Sequence, residues 1–286
     1  LIEPIENLGF AGGCNLGLRL PGSHEFVALL NNDATVDPGW LRPLVEVAGS
    51  APDIGAVSAK MLFADRFLSI EVEVPDAAKI NRNDPRDLGV RVSAVRLDGV
   101  RSDSRVSFDE AFYGPELANT DDDEEIARWS RAHGSIRIAV DPTQPLPAVA
   151  SLRLSSPHPR TVTLTTDAGQ QTLQVGNAHT WFDVRLGSEP FDVINNVGSN
   201  LYRGGFGGDR GFLERDLGQF EEPAEVFAWC GGAVLLKRSY LDDVGVFDEH
   251  LFLYYEDTDL SWRGRLQGWR YLYEPSSLVR HRHAAS

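Results

Sequence analysis

The stretch "YYEDTDLSWRGRL" places three carboxylates directly behind a block of aromatic residues. Glu256, Asp257 and Asp259 stand where a helix begins, and a carboxylate sheltered from water by aromatic rings suits a general base. The same acids also suit the first turn of a helix, where each contributes roughly 0.3–1 kcal/mol. Spacing leaves both interpretations open, including Asp257 as a simple N-cap. In either case we expect the helix N-terminus to keep Asp257 ionised.

A second candidate is "LLNNDATVDPGWL", in which an apolar run ends at Asn31, Asn32 and Asp33. Polar residues at the end of a buried parallel strand lie at the edge of the sheet where ligands bind in α/β folds. Mg²⁺ typically takes one or two protein carboxylates together with substrate phosphates, so Asp33 is a candidate metal ligand. An Asp that only caps a turn is an equally good interpretation.

Two weaker candidates complete the set. In "LVRHRH", His281 or His283 could ligate a metal through a neutral imidazole, although a histidine pair of this kind more often belongs to a solvated tail. In "GFAGGCN", glycines could let a backbone approach a nucleotide, but their order is not that of a GxGxxG motif. A turn with close helix packing explains that stretch as well.

These side chains need a framework, and residues 1–63 have the pattern of an α/β fold. We expect a buried parallel strand over residues 26–30 and another strand over residues 54–63. Between them we expect a helix with Asp37 as its N-cap and Pro38 as its first residue.

The segment after residue 191 has the same α/β character. We expect a strand over residues 233–238, then a short helix with Ser239 as its N-cap. A second helix should run over residues 257–268, closed by Gly268, and a final strand should end at Pro275.

Between these segments, residues 68–190 contain short runs of alternating polar and apolar residues. In "TVTLTTDAGQQTLQV" the Asp-Ala-Gly marks a hairpin turn. The block predicts an antiparallel β-sandwich inserted into the α/β domain. Trp129 and Trp181 are either stacking residues for a glycan or, as we favour, core residues. The run "DDDEE" is either a calcium site or, more in keeping with charge runs, a solvated loop.

Composition excludes several classes of protein. The chain has 286 residues with 42% hydrophobic content and a formal net charge of −15, which disfavours nucleic acid as a partner. No apolar run approaches the ~20 residues of a membrane span, and the first residues lack the pattern of a signal peptide. Two cysteines imply no disulfide framework. We therefore expect a cytoplasmic location, including a peripheral position at the cytoplasmic face of a membrane.

Taken in order, four blocks resemble the family 2 glycosyltransferases, in particular their bacterial rhamnosyltransferase-like branch. The blocks are "NLGFAGGCNLGL", "LLNNDATVDPGWLRPLV", "AWCGGAVLLKRSYLDDVGVFDEHLFLYYEDTDLSWRGRLQGWRYLYEP" and "VRHRHAAS". The resemblance covers residues 1–67 and about 191–286. It implies a GT-A-type fold, a nucleotide-diphospho-sugar transferase core that is interrupted by the β-domain.

The resemblance also assigns roles. "NND" occupies the family's DxD-like metal position, with Asn31 where many members have an Asp. Asp33 and His281 would hold Mg²⁺ or Mn²⁺, and Asp257 would be the general base. The remaining implied site residues are Glu256 and Asp259, which orient the acceptor and the motif, Gly13, Asn15, Asn31 and Asn32 beside the donor nucleotide, and Trp229, Gly231 and Gly232 as the floor of the sugar pocket.

The implied activity is an inverting hexosyl transfer from a dTDP- or UDP-sugar, with rhamnose as the first guess. The acceptor would be a glycan or a lipid-linked glycan of a cell-envelope polysaccharide. The family normally begins with a βαβ unit that binds the nucleotide base, and this sequence starts after it, so we expect a fragment that is inactive alone. The alternative is a non-catalytic carbohydrate-binding protein on a degenerate transferase scaffold.

Overall fold

A computed structural model describes residues 5–20, 22–80, 82–119 and 124–282 of the chain. The chain divides into two compact units, which are Leu1–Ala64 with Asp192–Ser286 (unit 1) and Asp65–Phe191 (unit 2). The architecture is mixed α/β, rich in strands and dominated by antiparallel sheets.

The helices and strands of the described residues have the following bounds. In the first segment of unit 1 they are α1 (Gly9–Leu18), β1 (Phe26–Leu30), β2 (Ala34–Val36), α2 (Leu41–Ala48) and β3 (Ile54–Phe63). In unit 2 they are β4 (Arg66–Glu73), β5 (Arg91–Leu97), β6 (Val100–Arg101), β7 (Val106–Phe108), β8 (Glu116–Asn119), β9 (Glu124–Trp129), β10 (His133–Val140), β11 (Val149–Ser155), β12 (Arg160–Thr166), β13 (Gly169–Val175) and β14 (Thr180–Arg185). In the second segment of unit 1 they are β15 (Ile194–Asn196), β16 (Ser199–Tyr202), β17 (Phe206–Asp209), β18 (Ala224–Val226), β19 (Ala233–Lys237), α3 (Arg238–Val244), α4 (Glu256–Leu266) and β20 (Arg270–His281).

Unit 1 is built on one sheet with the strand order β1-β19-β3-β20-β18. Its central strand, β3, is the apolar run predicted over residues 54–63, and nine of its ten residues are buried. Strand β19 confirms the predicted strand that begins at residue 233. Two short strands extend the sheet at one end, where β15 pairs with β3 and β2 pairs with β20. That end of the sheet carries the polar residues described below.

Two local predictions for unit 1 were wrong. Strand β1 is not a buried parallel strand, because it lies at the edge of the described sheet and pairs antiparallel with β19. Helix α2 begins at Leu41, and Trp40 rather than Asp37 takes the N-cap position. Gly39 has a positive φ of 84°, so residues 37–40 form a turn before the helix.

Two predictions in the second segment were also wrong. Helix α3 begins at Arg238 with Lys237 at the N-cap position, so the cap lies two residues before the predicted Ser239. Strand β20 does not end at Pro275. It continues to His281, parallel to β3, with a register shift between Glu274 and Leu278. A bulge accommodates a proline because the ladder is already interrupted there.

Helix α4 packs on the core of unit 1 through a close backbone approach. A Cβ at Gly264 would lie 2.1 Å from the hydroxyl of Tyr271 and 2.6 Å from the ring of Tyr240. Both tyrosines are fully buried, and their hydroxyls donate to the carbonyls of Leu260 and Ser261. Glycine at position 264 therefore lets two buried rings hold α4 by its backbone.

Unit 2 contains two antiparallel sheets, with strand orders β13-β12-β4-β10-β7 and β14-β11-β5-β9-β8. Apolar side chains from both sheets form one core, which includes Ile70, Val92, Ile136, Leu152 and Leu164. The predicted hairpin is confirmed, since β12 and β13 pair from Arg160↔Val175 to Thr166↔Gly169.

The tryptophans of unit 2 have different surroundings. Trp129 is only 6% exposed, as a core residue would be. Trp181 is half-buried, and the guanidinium of Arg96 lies 4.0 Å from its ring centroid. Of the "DDDEE" run, Asp121, Asp122 and Asp123 lie outside the described residues. Across the residues that the structure describes, no helix is long and apolar enough to cross a membrane.

Candidate functional site

The first turn of α4 turns Asp257 toward a neighbouring loop. The preceding residues Tyr254 and Tyr255 have φ angles of 71° and 67°, a left-handed conformation that is uncommon outside glycine. Tyr255 holds the N-cap position, so Asp257 is not the N-cap. Its Oδ2 accepts the backbone N–H of Gly231 at 3.0 Å, and its Oδ1 accepts the N–H of Thr258 at 2.6 Å. Both carboxylate oxygens are thus fixed by the backbone.

Burial raises the pKa of Asp257 in spite of these two backbone hydrogen bonds, and the charge of Asp209 raises it further. The expectation that the helix N-terminus keeps this group more easily ionised was therefore wrong in direction. The effect of desolvation on the pKa of Asp257 outweighs the opposite effect of the two N–H donors. A carboxylate with a raised pKa is a stronger proton acceptor once it is ionised.

Glu256 is 5% exposed, and its Oε2 is a buried atom with no hydrogen-bond partner among the described residues. Burial raises its pKa to about 7, and the neighbouring charge of Asp257 adds to this. A buried polar atom without a partner is uncommon in native proteins and often marks a functional position.

Asp259 points elsewhere. Its Oδ2 accepts the Nε–H of Arg263 at 2.9 Å, one helical turn along α4. Arg263 also donates to the carbonyls of Val244 and Val246, which tie α4 to the end of α3. Asp259 therefore anchors the helix in this structure, and its part in orienting the acceptor stays a prediction.

The "NND" turn is fixed on two sides by the sheet. The backbone N–H of Asn31 donates to the carbonyl of Gly232 at 3.0 Å, and Ala34 pairs with His281 across β2 and β20. The N–H of Arg282 donates to the carbonyl of Asp33 at 3.1 Å. Because β20 continues past Pro275, it delivers His281 to this turn. Asn32 is exposed at the tip of the turn.

His281 is the centre of a cluster of side chains. Its Nε2 lies 3.0 Å from Oδ1 of Asp33 and 3.1 Å from Nδ2 of Asn31. Its Nδ1 lies 3.0 Å from Oδ1 of Asn195. Asn195 stands at a register shift of β15 against β3, a bulge that turns its side chain toward the histidine. An Nδ1–H that donates to Asn195 selects the tautomer with a lone pair on Nε2, which is the form that ligates metals.

The contacts at Nε2 make opposite demands. A donor such as the Asn31 amide requires a lone pair there, whereas the Asp33 carboxylate at hydrogen-bond distance requires a proton or a cation. A divalent cation between Nε2 and Asp33 would satisfy the lone pair and the carboxylate, since neighbouring ligands of one octahedral cation lie about 3 Å apart, and the Asn31 amide would then have to turn its oxygen toward the ion. Asp33 and His281 could thus hold such an ion. Within the described residues, no group of three or more His, Cys, Asp and Glu side chains is suited to a metal ion, so further ligands would have to come from amides, water or substrate.

The "WCGG" segment has one residue in the core, Trp229, and three at the cavity, Cys230, Gly231 and Gly232. Trp229 is fully buried in the core of unit 1, so it supports the backbone of this segment from within the core. A Cβ at Gly231 would lie 3.3 Å from the ring of Phe10 and 3.7 Å from Oδ2 of Asp257. A Cβ at Gly232 would lie 2.7 Å from the side chain of Met61. The absence of side chains here lets the loop backbone reach Asp257 and Asn31.

The two predicted donor residues on α1 lie apart from this cluster. Asn15 is fully buried, and its amide donates to the carbonyl of Phe247 and to Glu249 while its Oδ1 accepts the N–H of Phe247. Gly13 is exposed on the helix, with nothing within 4 Å of a Cβ placed there. In this structure Asn15 holds the loop before α4, and contact of either residue with a nucleotide stays a prediction.

One cavity of about 490 Å³ joins these parts of unit 1. Six of the predicted site residues line it, namely Asn31, Gly231, Gly232, Glu256, Asp257 and His281. Asp33 adjoins it through His281. Five further lining residues were not predicted, which are Phe10, Asn195, Asn196, Ser199 and Asp209, whereas Tyr254 and Tyr255 belong to the aromatic block expected beside the acids. The signal for them was weak, consisting of two adjacent asparagines after an apolar run and an Asp after two glycines.

Comparison with known proteins gives a limited match. The N-acetylglucosaminyl-diphospho-decaprenol L-rhamnosyltransferases of Mycobacterium tuberculosis strains CDC 1551 and H37Rv are each 45% identical to this chain over 67 residues. The match covers 23% of this chain and 22% of each relative, so the chain matches about a fifth of the length of these curated relatives. No family model matches the chain. No solved structure matches it either.

Proposed function

We propose that this chain belongs to an inverting, metal-dependent glycosyltransferase of family 2, with unit 1 as a GT-A-type core and unit 2 as an inserted β-sandwich. It would transfer a sugar, with rhamnose as the first candidate, from a nucleoside-diphosphate donor to a glycan or lipid-linked acceptor. Similarity to part of two rhamnosyltransferases supports the reaction class. The name of these relatives describes a lipid-diphosphate acceptor, which supports a lipid-linked substrate for this chain.

One observation carries the proposal. Asp257 on α4 and His281 at the end of β20 line one cavity, and Asp33 lies 3.0 Å from His281. These residues come from three separate segments of the sequence and match the base and metal positions that the family requires. A helix cap alone would not aim Asp257 at the same cavity as a carboxylate–histidine pair.

The chain's own residues have distinct parts in the proposed reaction. Asp33 and His281 would hold Mg²⁺ or Mn²⁺, and Asn195 orients the His281 ring. When bound, the cation would neutralise the charge that develops on the leaving nucleoside diphosphate. Asp257, held by Gly231 and Thr258, would accept the proton of the acceptor hydroxyl as that oxygen attacks the anomeric carbon. The C–O bond to the diphosphate breaks in the same step, so the configuration inverts.

Glu256 and the aromatic rim would shape the reaction site. Tyr254 and Tyr255 line the cavity while 70% and 60% exposed, so they can cover a bound sugar and restrict water. A protonated Glu256 could donate a hydrogen bond to substrate, because burial raises its pKa to about 7.

The test is a binding and transfer screen on the full-length protein. Nucleotide sugars, beginning with dTDP-rhamnose and UDP-sugars, are titrated with Mg²⁺, with Mn²⁺ and with a chelator. We expect one donor to bind in a cation-dependent manner and to be consumed in the presence of a synthetic N-acetylglucosaminyl-diphospho-lipid. Asp33→Ala should weaken only the cation-dependent binding. A protein that binds no donor under any condition contradicts the proposal and favours a non-catalytic carbohydrate-binding scaffold.

A further inference from the structure

A carboxylate that the proposed mechanism does not use, Asp209, lies at the end of β17 in the same cavity as Asp257. Alternate residues of a strand face the same side, so Asp209 shares a face with Gly207. A Cβ at Gly207 would lie 3.2 Å from Cγ2 of Thr258, which is the next residue after Asp257. The face of β17 that carries Asp209 is therefore packed against the first turn of α4.

The Asp209 carboxylate is held by side chains of the two preceding strands, Asn196 on β15 and Ser199 on β16. Its Oδ1 accepts the side-chain amide of Asn196 at 2.7 Å and the hydroxyl of Ser199 at 3.4 Å. Asn196 is 2% exposed, and its own Oδ1 accepts the N–H of Gly198 at 2.7 Å. A buried amide that is itself fixed by the backbone gives the carboxylate a defined position.

The backbone around Asp209 is fixed as well. The N–H of Arg210 donates to the carbonyl of Gly198 at 2.9 Å, and the N–H of Val197 donates to the carbonyl of Arg210 at 3.2 Å. The guanidinium of Arg210 lies 4.5 Å from the ring centroid of Phe220. Asp209 thus belongs to a rigid hairpin, which is what a binding residue requires.

The surroundings of Asp209 have the composition of a sugar site. Asn196 and Ser199 are donors and acceptors beside it, and the rings of Phe10, Tyr254 and Tyr255 line the same cavity. A carboxylate accepts up to about four hydrogen bonds, so those from Asn196 and Ser199 are compatible with a further bond from a hydroxyl. Its negative charge disfavours contact with a diphosphate, so a neutral sugar hydroxyl is the better ligand here, and the position beside the base Asp257 is where the acceptor sugar would lie.

We infer that Asp209 is a second carboxylate of the reaction site, which binds a hydroxyl of the acceptor sugar beside the base Asp257 and so helps to select the acceptor. The inference rests on the proposed function and adds a residue that determines specificity. The charge of Asp209 also acts on Asp257. It raises the pKa of the Asp257 carboxyl in addition to the larger effect of burial. The other groups that face Asp257 are the carboxyl of Glu256, the thiol of Cys230 and the N–H donors of Gly231 and Thr258.

The experiment uses full-length protein with dTDP-rhamnose as donor and a synthetic N-acetylglucosaminyl-diphospho-lipid as acceptor. In Asp209→Asn, we expect the acceptor KM to rise roughly 10- to 100-fold, as for loss of a hydrogen bond to a charged group, with the donor KM unchanged. The acid limb of kcat/KM should move to lower pH, because the charge that raises the pKa of Asp257 is gone. Asn196→Ala should raise the acceptor KM in the same direction. Asp242→Asn, an exposed carboxylate on α3, is the control that should change neither quantity.

Binding of the same acceptor, followed by ligand-detected NMR, separates this inference from the proposed function. If wild-type protein transfers sugar and Asp209→Asn keeps both the acceptor KM and the pH profile, the inference is wrong and the proposed function stands. If wild-type protein transfers nothing from any donor of the nucleotide-sugar screen yet binds the acceptor, and Asp209→Asn loses that binding, the proposed function is wrong and Asp209 remains a sugar-binding residue. Equal binding by both proteins, or binding by neither, contradicts the inference.

Discussion

The backbone N–H of Gly231 donates to Oδ2 of Asp257 at 3.0 Å, which joins the loop before β19 to the first turn of α4. A Cβ at position 231 would crowd the Phe10 ring at 3.3 Å and would contact this carboxylate at 3.7 Å. The hydrogen bond explains why a Gly-Gly pair and an acidic helix start occur in the same protein. It also means that Asp257 has a structural task in addition to its proposed role as base.

The first prediction concerns Asp257→Asn. An amide cannot act as a general base, so kcat should fall about 10²–10⁴-fold while the donor dissociation constant stays unchanged. The amide has one acceptor oxygen, whereas Asp257 accepts N–H groups of both Gly231 and Thr258. The loss of one acceptor opposes the gain from removing a buried charge whose pKa is raised, so we expect the free energy of unfolding at neutral pH to change little.

Kinetics, donor titration and urea unfolding of the same preparation check this prediction. Asp242→Asn serves as the matched control, since that carboxylate is exposed and its ion pair with Arg238 is long, at 3.7 Å. Normal turnover by Asp257→Asn would rule out this residue as the base.

Much of the local structure could be predicted because apolar runs report burial directly. Strands β3 and β19 and the β12–β13 hairpin lie where the sequence placed them. The direction of a strand is different, because it depends on its partner. The edge position of β1 and its antiparallel pairing with β19 were therefore missed.

The site was predictable only in part, for a similar reason. The acids of α4 and the "NND" turn stand out by residue type, but the bulge after Pro275 that carries β20 on to His281 does not. Asn195 and Asp209 were missed because each acts through a contact with a residue distant in the sequence or in another element. The direction of the pKa shift of Asp257 was missed because burial is a property of the folded chain.

A second prediction concerns Asn195, which accepts the Nδ1–H of His281 at 3.0 Å. Asn195→Ala removes the group that fixes the tautomer and the ring orientation, so affinity for Mn²⁺ in the presence of dTDP should fall roughly 10- to 100-fold. Electron paramagnetic resonance of free Mn²⁺ measures this, and ¹⁵N chemical shifts report the His281 tautomer. Asn200→Ala, on β16, is the control. Unchanged Mn²⁺ affinity would show that Asn195 does not fix His281 for metal binding.

A third prediction concerns the effect of Glu256 on the stability of the protein. Burial raises the pKa of the Glu256 carboxyl from 4.5 to about 7. The folded state binds this proton more tightly than the unfolded chain, so the associated stability is complete below about pH 4.5 and is lost as pH rises through about 7. Glu256→Gln removes the dependence. It should be more stable than wild type by about 3 kcal/mol at pH 8 and nearly equal at pH 4.

Urea unfolding at intervals between pH 4 and pH 8 tests this. The control is Glu46→Gln, an exposed position, for which the difference in free energy of unfolding from wild type should not change with pH. If the free energies of unfolding of Glu256→Gln and wild type differ by the same amount at every pH, then Glu256 is ionised in the folded protein at neutral pH.

The last prediction compares two helical glycines. Gly264→Ala would force a Cβ to 2.1 Å from the Tyr271 hydroxyl, and because Tyr240 and Tyr271 are buried and bonded to α4, the helix itself must move. We expect a loss of about 1–3 kcal/mol or more in the free energy of unfolding. Gly17→Ala on α1 meets nothing within 4 Å, so it should instead stabilise the protein by roughly 0.5–1 kcal/mol.

The comparison also tests how the site is positioned. A shift of α4 would draw Asp257 away from Gly231, so Gly264→Ala should lose turnover even at temperatures where it remains folded. Gly17→Ala should retain it. Urea unfolding and turnover, measured together, decide the point. If Gly264→Ala unfolds like wild type and turns over normally, then the contact of α4 with Tyr240 and Tyr271 is not what holds Asp257 in place.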